Sequence, residues 1–342
     1  MMSSFYDFIW AVLEVTDCCN AECMYCSGNH HARKSNFDPD LGTIVSIIED
    51  LERIGCKHIT LSGGEPLLRN DLPRIVSHCK KLEIETTLAT NGSLLKKDTV
   101  RRLIDSGIDG IQISLDGNEQ QHDSMRGKGT FIKTIQAIES SFAAGLLPST
   151  MTVLSRVNHR NPANVLSLLE SLPIKFAAFE RLTGTGRGTA VSDLCLTSNE
   201  LYNAFRTISL YTGNLQCVIN DPLKIHFDPD LTQKGLSALN TCGGCLAGIV
   251  CGAISADGQI KICTRVPYSI GFWRAPGDLV RIWQESPVLQ KLRNRTLTGH
   301  CGSCRLLLAC GGCRAEAMAS SGDLLSEDPG CWYMTPNNTQ EF

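Results

Sequence analysis

Cysteine is the residue type in this sequence best suited to chemistry, both by its number and by its spacing. The chain has 342 residues and 17 cysteines, of which thirteen form two groups and four stand alone at positions 56, 79, 195 and 217. No basic cluster precedes the N-terminal apolar stretch 8–15, as an export signal would require. Thiols in a reducing compartment stay unpaired. We therefore expect a cytoplasmic protein whose grouped cysteines bind metal and whose isolated ones are small buried hydrophobic residues.

The N-terminal group contains three thiols at short spacing, Cys19-x3-Cys23-x2-Cys26, with Cys18 beside them. They directly follow the first predicted strand. A structural zinc site needs four closed ligands, whereas three thiolates on a four-iron cluster leave one iron open to another molecule. The spacing therefore indicates an iron–sulfur site, with a zinc knuckle that takes Cys18 as fourth ligand as the alternative.

The C-terminal group contains nine cysteines in a region rich in glycine and poor in long helices. They are Cys242, Cys245, Cys251, Cys263, Cys301, Cys304, Cys310, Cys313 and Cys331. Such a region has too little apolar surface to fold stably on its own, and bound metal supplies the missing stabilisation. The Asp257-Gly258 pair predicts a hairpin over 253–264 whose second strand delivers Cys263. Eight ligands allow roughly a hundred pairings, and a zinc ribbon is the alternative because two C-x2-C pairs suit zinc.

Between the two groups, apolar strand patterns alternate six times with helical ones. The predicted strands are 10–15, 58–61, 85–89, 110–114, 150–154 and 176–179, and the predicted helices are 41–54, 71–81, 97–106, 130–144, 162–172 and, later, 198–211. This alternation predicts a parallel sheet with right-handed crossovers. Six units fall short of the eight that close a TIM barrel. We expect an α/β fold, an open partial (β/α)6 TIM-like barrel, with its chemistry at the C-terminal rim.

Charge and hydropathy exclude two classes of partner. With 32 Lys and Arg against 35 Asp and Glu the net charge is -3, which gives no reason to expect nucleic acid. No run of about 18 apolar residues exists, so no membrane span is expected. We divide the chain into a barrel core at 1–190, a bridging helical segment at 191–241, a cysteine-rich domain at 242–334 and a tail at 335–342.

The N-terminal motifs together resemble those of radical S-adenosylmethionine enzymes. The resemblance rests on the cysteine trio with Tyr25 before its last member and on four segments that follow it in order. These are Gly63-Gly64-Glu65-Pro66, Thr90-Asn91-Gly92, Ser114-Leu115-Asp116-Gly117 and His122-Asp123-Ser124-Met125-Arg126-Gly127. It implies that Cys19, Cys23 and Cys26 hold a 4Fe-4S cluster whose open iron is chelated by S-adenosylmethionine. Reductive cleavage of that cofactor then yields a 5′-deoxyadenosyl radical.

The same resemblance implies contacts to the cofactor. Gly63 to Pro66 contact its methionine amino group, with Glu65 in a salt bridge or an orienting role. Ribose and carboxylate contacts fall to Thr90, Asn91, Ser114 and Asp116, and Tyr25 and Arg126 complete the set. Simpler interpretations are a tight turn at Asn91-Gly92, helix caps at Ser114 and Asp116, a loop brace at Arg126, and solvated His30 and His31.

The C-terminal group resembles the SPASM extension of this family, which typically houses two auxiliary four-iron clusters. Carrying over its interlaced arrangement assigns one cluster to Cys245, Cys251, Cys263 and Cys313. The other cluster falls to Cys301, Cys304, Cys310 and Cys331. Cys310 and Cys313 are separated by two residues where the family usually has three, and Cys242 is a spare thiol.

The implied function is radical modification of a peptide or peptide-derived substrate, with an electron passing to the auxiliary clusters. The alternative is oxidation, epimerisation or decarboxylation of a small molecule such as an aminosugar or a tetrapyrrole, and a non-catalytic iron–sulfur carrier is a further class. Thr264-Arg265 replaces the acidic base that sulfatase-maturing relatives have after the cysteine matching Cys263. The segment 181–187 offers cations for a carboxylate, or is a solvated loop. The expected partners are a flavodoxin or ferredoxin as electron donor and, because Cys19 lies so near the start, a separate leader-peptide recognition protein.

Overall fold

The computed structural model describes residues 7–28, 38–160, 162–227 and 244–334. His30, His31, Cys242 and the tail 335–342 lie outside the described residues. All other candidate site residues lie inside them.

The strands form one ten-stranded sheet in the order β10-β9-β8-β1-β2-β3-β4-β5-β6-β7. Their bounds are β1 Trp10–Glu14, β2 His58–Ser62, β3 Glu85–Thr90, β4 Gly110–Ser114, β5 Ser149–Leu154, β6 Ala177–Arg181, β7 Cys217–Ile219, β8 Cys251–Ile254, β9 Gln259–Lys261 and β10 Ser269–Phe272. Neighbours from β1 to β7 all pair in parallel. The six predicted strands and the parallel sheet are therefore confirmed. The short strand β7 was not predicted, because three residues carry too little pattern.

Helices connect the parallel strands and continue into the C-terminal region. Their bounds are α1 Leu41–Arg53, α2 Leu72–Lys81, α3 Lys97–Asp105, α4 Glu119–Arg126, α5 Thr130–Ala143, α6 Pro162–Glu170, α7 Ser198–Ser209, α8 Asp278–Glu285, α9 Pro287–Arg293, α10 Gly299–Ser303 and α11 Arg314–Ser321. Short 3-10 helices cover Pro66–Leu68, Gly186–Leu194, Pro222–Phe227 and Trp332–Met334.

The crossover helices bury one face on the sheet. In α1, Ile44, Ile47, Ile48 and Leu51 recur at helical spacing and are all buried. The helix starts where the Asp40 side chain accepts the Thr43 amide at 2.7 Å. The sequence pattern found these helices because their apolar periodicity is strong.

The cysteine-rich region continues the barrel sheet. Strand β8 pairs in parallel with β1, and Cys251 lies opposite Trp10. Strands β8 and β9 form the expected antiparallel hairpin, whose turn includes Gly258 at φ 83°. Cys263 follows two residues after β9 ends at Lys261. The cysteines of this region are thereby attached to the first strand of the barrel.

None of the described helices is long and apolar enough to cross a bilayer.

Candidate functional site

A cavity of about 1300 Å³ occupies the barrel interior. Cys19, Cys23 and Cys26 line it from the loop after β1. Four thiols from the C-terminal region line it as well, namely Cys245, Cys251, Cys263 and Cys313. Both cysteine groups therefore face one cavity.

The N-terminal cysteine loop is held by its neighbours. The Met24 amide donates to the Met125 carbonyl of α4 at 3.0 Å, and the Cys26 amide donates to the Cys23 carbonyl at 3.3 Å. Burial raises the pKa of Cys19 to about 11, with smaller increases from Glu65 and from the nearby Cys23 and Cys26 thiols. The loop thus brings three thiols together in a partly desolvated place.

This donor set fits a four-iron cluster. Metal binding needs thiolates and releases the protons of the thiols. Bound iron supplies the partner of opposite charge that a thiolate removed from water needs. A structural zinc site needs four closed ligands, and Cys18, the fourth ligand of the zinc-knuckle alternative, does not line the cavity with the trio.

Gly63 and Gly64 pass directly against the cysteine loop. A Cβ on Gly63 would lie 2.2 Å from the Thr16 carbonyl oxygen, and one on Gly64 would lie 2.0 Å from that of Cys18. The Gly64 amide donates to the Thr16 carbonyl at 2.8 Å. Glycine is therefore required here by packing within the protein, in addition to any approach to a cofactor.

Glu65 ties two strand ends together from behind the cavity wall. Its fully buried carboxylate accepts the Thr90 hydroxyl at 2.7 Å, the Asn91 amide at 2.9 Å and the Leu67 amide at 3.1 Å. Burial raises its pKa, although these hydrogen bonds oppose the shift. Of the two roles suggested for Glu65, the hydrogen bonds correspond to the orienting one, and no ion pair of Glu65 occurs among the described residues.

Asp116 is the hub of a second buried network. One carboxylate oxygen accepts both the Tyr25 hydroxyl and the Arg126 Nε at 2.6 Å, and the other accepts the Val153 amide at 2.9 Å. The Arg126 guanidinium lies over the Tyr25 ring and 4.0 Å from the Cys23 sulfur. Burial by itself lowers the pKa of Arg126, but Asp116 raises it well above its usual range. A fixed cation therefore stands beside the cysteine trio.

His122 supports this hub; the sequence motif contained it, but no role was predicted for it. The Asp116 amide donates to its Nδ1 at 3.2 Å, which leaves the proton on Nε2, facing the Thr134 hydroxyl at 3.4 Å. Burial, followed by the nearby Arg126, lowers the pKa of His122 to about 4. The imidazole is therefore neutral and positions Asp116.

The predicted cofactor contacts divide into two sets. Seven of the ten line the cavity: Tyr25, Gly63, Gly64, Thr90, Asn91, Ser114 and Arg126. The other three, Glu65, Pro66 and Asp116, are buried and do not line it. Glu65 and Asp116 hold lining residues in place through their hydrogen bonds.

The first C-terminal set of thiols gathers around the β8–β9 hairpin. Burial raises the pKa of Cys251, and the nearby Cys245 and Cys263 thiols add to the shift. Cys313 and Cys263 both lie close enough to Arg265 to raise its pKa, which burial lowers and Glu180 raises. The interlaced assignment of Cys313 to this set therefore remains a prediction with a compatible geometry.

The second set lies away from the cavity, near the end of the described chain. Burial raises the pKa of Cys331 to about 12, and Asp328, Cys301 and Cys304 contribute. Burial raises the pKa of Cys310, and the nearby Cys331 adds to the shift. The four thiols of this predicted set are thus neighbours.

The cations near the cavity differ in what they can still bind. Arg181 is committed, because its guanidinium pairs with the buried carboxylates of Asp221 and Asp328, the latter at 2.7 Å. Arg187 has a buried Nε without a hydrogen-bond partner among the described residues, and Arg265 has only a 3.9 Å ion pair with Glu180 and a 3.4 Å hydrogen bond. The sequence could have pointed to Arg265, because it directly follows Thr264 beside Cys263.

Comparisons with known proteins show to which family the chain belongs. Residues 13–169 match the model of the Radical SAM superfamily. The mycofactocin maturase MftC of Mycobacterium tuberculosis is 30% identical over 334 residues, covering 93% of this chain and 81% of that protein. The chain belongs to the radical SAM superfamily. It is therefore an enzyme that uses a 4Fe-4S cluster and S-adenosylmethionine, and its cysteine-rich C-terminal region is of the SPASM type.

Other radical SAM proteins resemble the chain over nearly its whole length. The AdoMet-dependent heme synthase of Methanosarcina barkeri is 28% identical over 334 residues, covering 94% of this chain and 95% of that protein. Streptococcus suis SuiB bound to its precursor peptide SuiA has a TM-score of 0.77 at 20% identity, covering 94% of this chain and 75% of that one. The enzyme anSMEcpe with bound AdoMet has a TM-score of 0.71 at 18% identity, with 94% of both chains covered. These structures confirm the expected fold.

Proposed function

We propose that this radical SAM enzyme abstracts a hydrogen atom from a peptide or peptide-derived substrate and passes an electron to auxiliary 4Fe-4S clusters. The observation that carries the proposal is the single cavity that both cysteine groups line. A substrate carbon inside it can face the radical source on one side and an electron acceptor on the other. MftC and SuiB, whose names and titles refer to maturation and to a precursor peptide, support a peptide as the substrate class.

In this proposal the cysteine trio holds the radical-generating cluster and the seven lining residues hold S-adenosylmethionine. When bound, that pair supplies a 5′-deoxyadenosyl radical that takes hydrogen from carbon. Arg126, fixed by Asp116, places a positive charge beside Cys23. Gly64 lets the loop after β2 lie against the cysteine loop, and Glu65 holds Asn91 at the cavity wall.

The remaining residues shape the substrate space and exclude water. Threonine, glutamine and methionine side chains of the strands line the barrel interior, namely Thr60, Thr87, Gln112 and Met151. Arg187, whose Nε has no hydrogen-bond partner among the described residues, and Arg265 line the same space. A bound substrate would have to cover the open side of the cavity, because a carbon radical is quenched by side reactions with solvent or oxygen.

The first experiment measures 5′-deoxyadenosine formed by the anaerobically reconstituted, dithionite-reduced protein. We expect formation by the wild type and its loss in the Cys19→Ala/Cys23→Ala/Cys26→Ala variant, which keeps the iron of its auxiliary sites. A flavodoxin or ferredoxin is the electron donor proposed to replace dithionite. Formation that survives in the variant would refute the proposal, and so would no formation by the wild type.

A second experiment tests the electron route. In a Cys245→Ala/Cys251→Ala variant we expect 5′-deoxyadenosine to form while the oxidised product is lost, because the substrate radical has no acceptor. Peptides encoded by short neighbouring reading frames serve as substrates, with and without a separate recognition protein, and a mass change reports the product.

A tetrapyrrole is the second candidate substrate class. Two observations favour it. The heme synthase relative aligns with 94% of this chain and 95% of its own length. Positive side chains also line the cavity wall, where carboxylates would bind, namely Lys175, Lys224, Arg187 and Arg265. Incubation with Fe-coproporphyrin III in place of the peptides distinguishes the two. A mass loss of the porphyrin with unmodified peptides would replace the peptide proposal.

A further inference from the structure

Arg314 is a buried cation without a carboxylate partner. It is the first residue of α11 and only 1% exposed. Its guanidinium donates to the backbone carbonyls of Leu324 at 2.8 Å and Ser326 at 2.6 Å, and no carboxylate of the described residues pairs with it. Buried charges are costly unless a counter-charge is present. The counter-charge must therefore come from another group in this part of the structure.

Of the two remaining contacts of Arg314, Nε donates to the Gly312 carbonyl at 3.3 Å, and the other contact points to that group. Its Nη2 donates to the sulfur of Cys301 at 3.8 Å, which is a predicted ligand of the second auxiliary cluster. A cluster held by four thiolates carries net negative charge and gains more on reduction. The guanidinium therefore has an anionic partner only when the cluster is in place.

Gly312 makes this contact possible. A Cβ at this residue would lie 2.7 Å from the Asp328 Cβ, 2.8 Å from the Arg314 Nη2 and 3.0 Å from the Cys301 sulfur. The loop between Cys310 and Cys313 thus passes the guanidinium and the sulfur at a distance that only glycine permits at φ 59°. The neighbouring Gly311 is packed in the same way against the Arg295 guanidinium.

The surroundings of the first auxiliary set are different. Arg181 near Cys313 is balanced by Asp221 and Asp328, and Arg265 faces Glu180. Three carboxylates against two guanidiniums leave no net cation there. Asp328 lies near the second set as well, since after burial it adds to the raised pKa of Cys310 and Cys331, but its carboxylate is already paired with Arg181. Arg314 is thus a buried guanidinium in contact with a thiol of the second set that has no ion pair of its own among the described residues.

We propose that Arg314 is the counter-charge of the cluster on Cys301, Cys304, Cys310 and Cys331 and raises its reduction potential above that of the other auxiliary cluster. The physical reason is that reduction adds negative charge to the cluster. A buried guanidinium stabilises this charge more strongly than a solvent-exposed cation would. An electron that reaches the first auxiliary cluster then moves on to the second. The inference rests on the ligand sets in the proposed function but not on the identity of the substrate.

The test uses the Cys19→Ala/Cys23→Ala/Cys26→Ala protein, which leaves only the auxiliary clusters, and follows their reduction by EPR at controlled potentials. Added Arg314→Gln removes the charge at similar length, and Arg314→Lys keeps it. Arg281→Gln, an exposed arginine on α8, is the matched control. We expect Arg314→Gln to lower the higher of the two reduction potentials by at least about 59 mV, which corresponds to a tenfold change in the equilibrium constant for reduction. Arg314→Lys should retain most of the potential and Arg281→Gln all of it.

Two results would overturn the inference: an unchanged potential in Arg314→Gln, or equal shifts in the Gln and Lys variants. The iron content distinguishes failure of this inference from failure of the assigned ligand sets. Two clusters give about eight irons per chain. A lower iron content in the parent protein would overturn both the ligand sets and the inference. If Arg314→Gln does not fold, arginine labelled with nitrogen-15 in the parent protein decides. With only the higher-potential cluster reduced, we expect a nitrogen-15 coupling in pulsed EPR, and its absence rejects the contact.

Discussion

Single residues in this enzyme act mainly by what they allow their neighbours to do. Gly63 and Gly64 were expected to permit close approach to a cofactor. In the structure, their missing side chains leave room for the carbonyl groups of Thr16 and Cys18. The motif therefore brings the cysteine loop and the loop after β2 into contact.

This contact predicts the effect of Gly64→Ala. Its Cβ would meet the Cys18 carbonyl at 2.0 Å, so the cysteine loop must move. We expect reconstituted protein to lose about four irons and all 5′-deoxyadenosine formation. Gly42→Ala is the control, because the nearest atom to its Cβ lies at an ordinary 3.5 Å. A normal iron content in Gly64→Ala would contradict the assigned packing.

His122 makes stability depend on pH. Its folded pKa of about 4 lies below the ordinary value of 6.5, because burial and then Arg126 disfavour the cation, while Asp116 and Asp123 oppose this. As the pH falls from 6.5 to 4, the unfolded chain binds a proton that the folded chain does not, so stability decreases by up to about 3 kcal/mol. In His122→Asn, whose side-chain oxygen can still accept the Asp116 amide, we expect a flatter dependence.

The measurement is the midpoint of thermal unfolding of both proteins between pH 7.5 and pH 4.5. The difference between them cancels the titration of other groups. His300→Asn serves as the control because His300 is exposed. Parallel pH curves for His122→Asn and the wild type would count against a buried neutral imidazole.

At the scale of elements, the ends of parallel strands assemble the site. Strands β2, β3 and β4 each end in one of the predicted motifs, and hydrogen bonds between these ends determine where their side chains point. Glu65 after β2 accepts donors from Thr90 and Asn91 at the end of β3. Helix α4 after β4 was missed from the sequence because it is polar, with only His122 and Met125 buried.

Glu65→Gln tests the coupling between strand ends. The amide nitrogen of glutamine donates where the carboxylate accepted, so one of the three hydrogen bonds is lost at a buried position. We expect a cost of about 1–3 kcal/mol in stability and about tenfold weaker S-adenosylmethionine binding to reconstituted protein, equivalent to about 1.4 kcal/mol. Exposed Glu52→Gln on α1 should change neither quantity. Wild-type cofactor affinity in Glu65→Gln would show that Asn91 is held in place by other contacts.

At the scale of the whole molecule, the barrel and the cysteine-rich region share structure. Strand β8 extends the barrel sheet beside β1. At the other side of the barrel, Arg181 of β6 binds Asp221 after β7 and Asp328 in the C-terminal region, and all three side chains are buried. Asp328 also accepts the Cys313 amide at 2.8 Å. The C-terminal cysteines are therefore positioned from both sides of the barrel.

Removing the shared cation should destabilise the whole chain. Arg181→Met leaves two buried carboxylates unpaired, and we expect a loss of about 3–5 kcal/mol in the free energy of unfolding. Adding Asp221→Asn and Asp328→Asn should restore part of it, because the uncompensated charges are gone. Arg101→Met, at an exposed 3.8 Å pair, should cost less than about 1 kcal/mol. A similarly small cost for Arg181→Met in denaturant unfolding would rule out this link.

The sequence by itself determined the strand and helix alternation and the cysteine spacing, since both are local patterns that survive in one dimension. It also identified the ordered motifs from which the family follows. Only the tertiary structure decided which of these residues line the cavity and which stand behind it, as Asp116 and Glu65 do. The pairing of Arg181 with Asp328 and the contact of Arg314 with Cys301 likewise join positions that no sequence period connects. Such partners are chosen by where the folded chain buries charge, and that choice depends on the assembled surroundings of each residue.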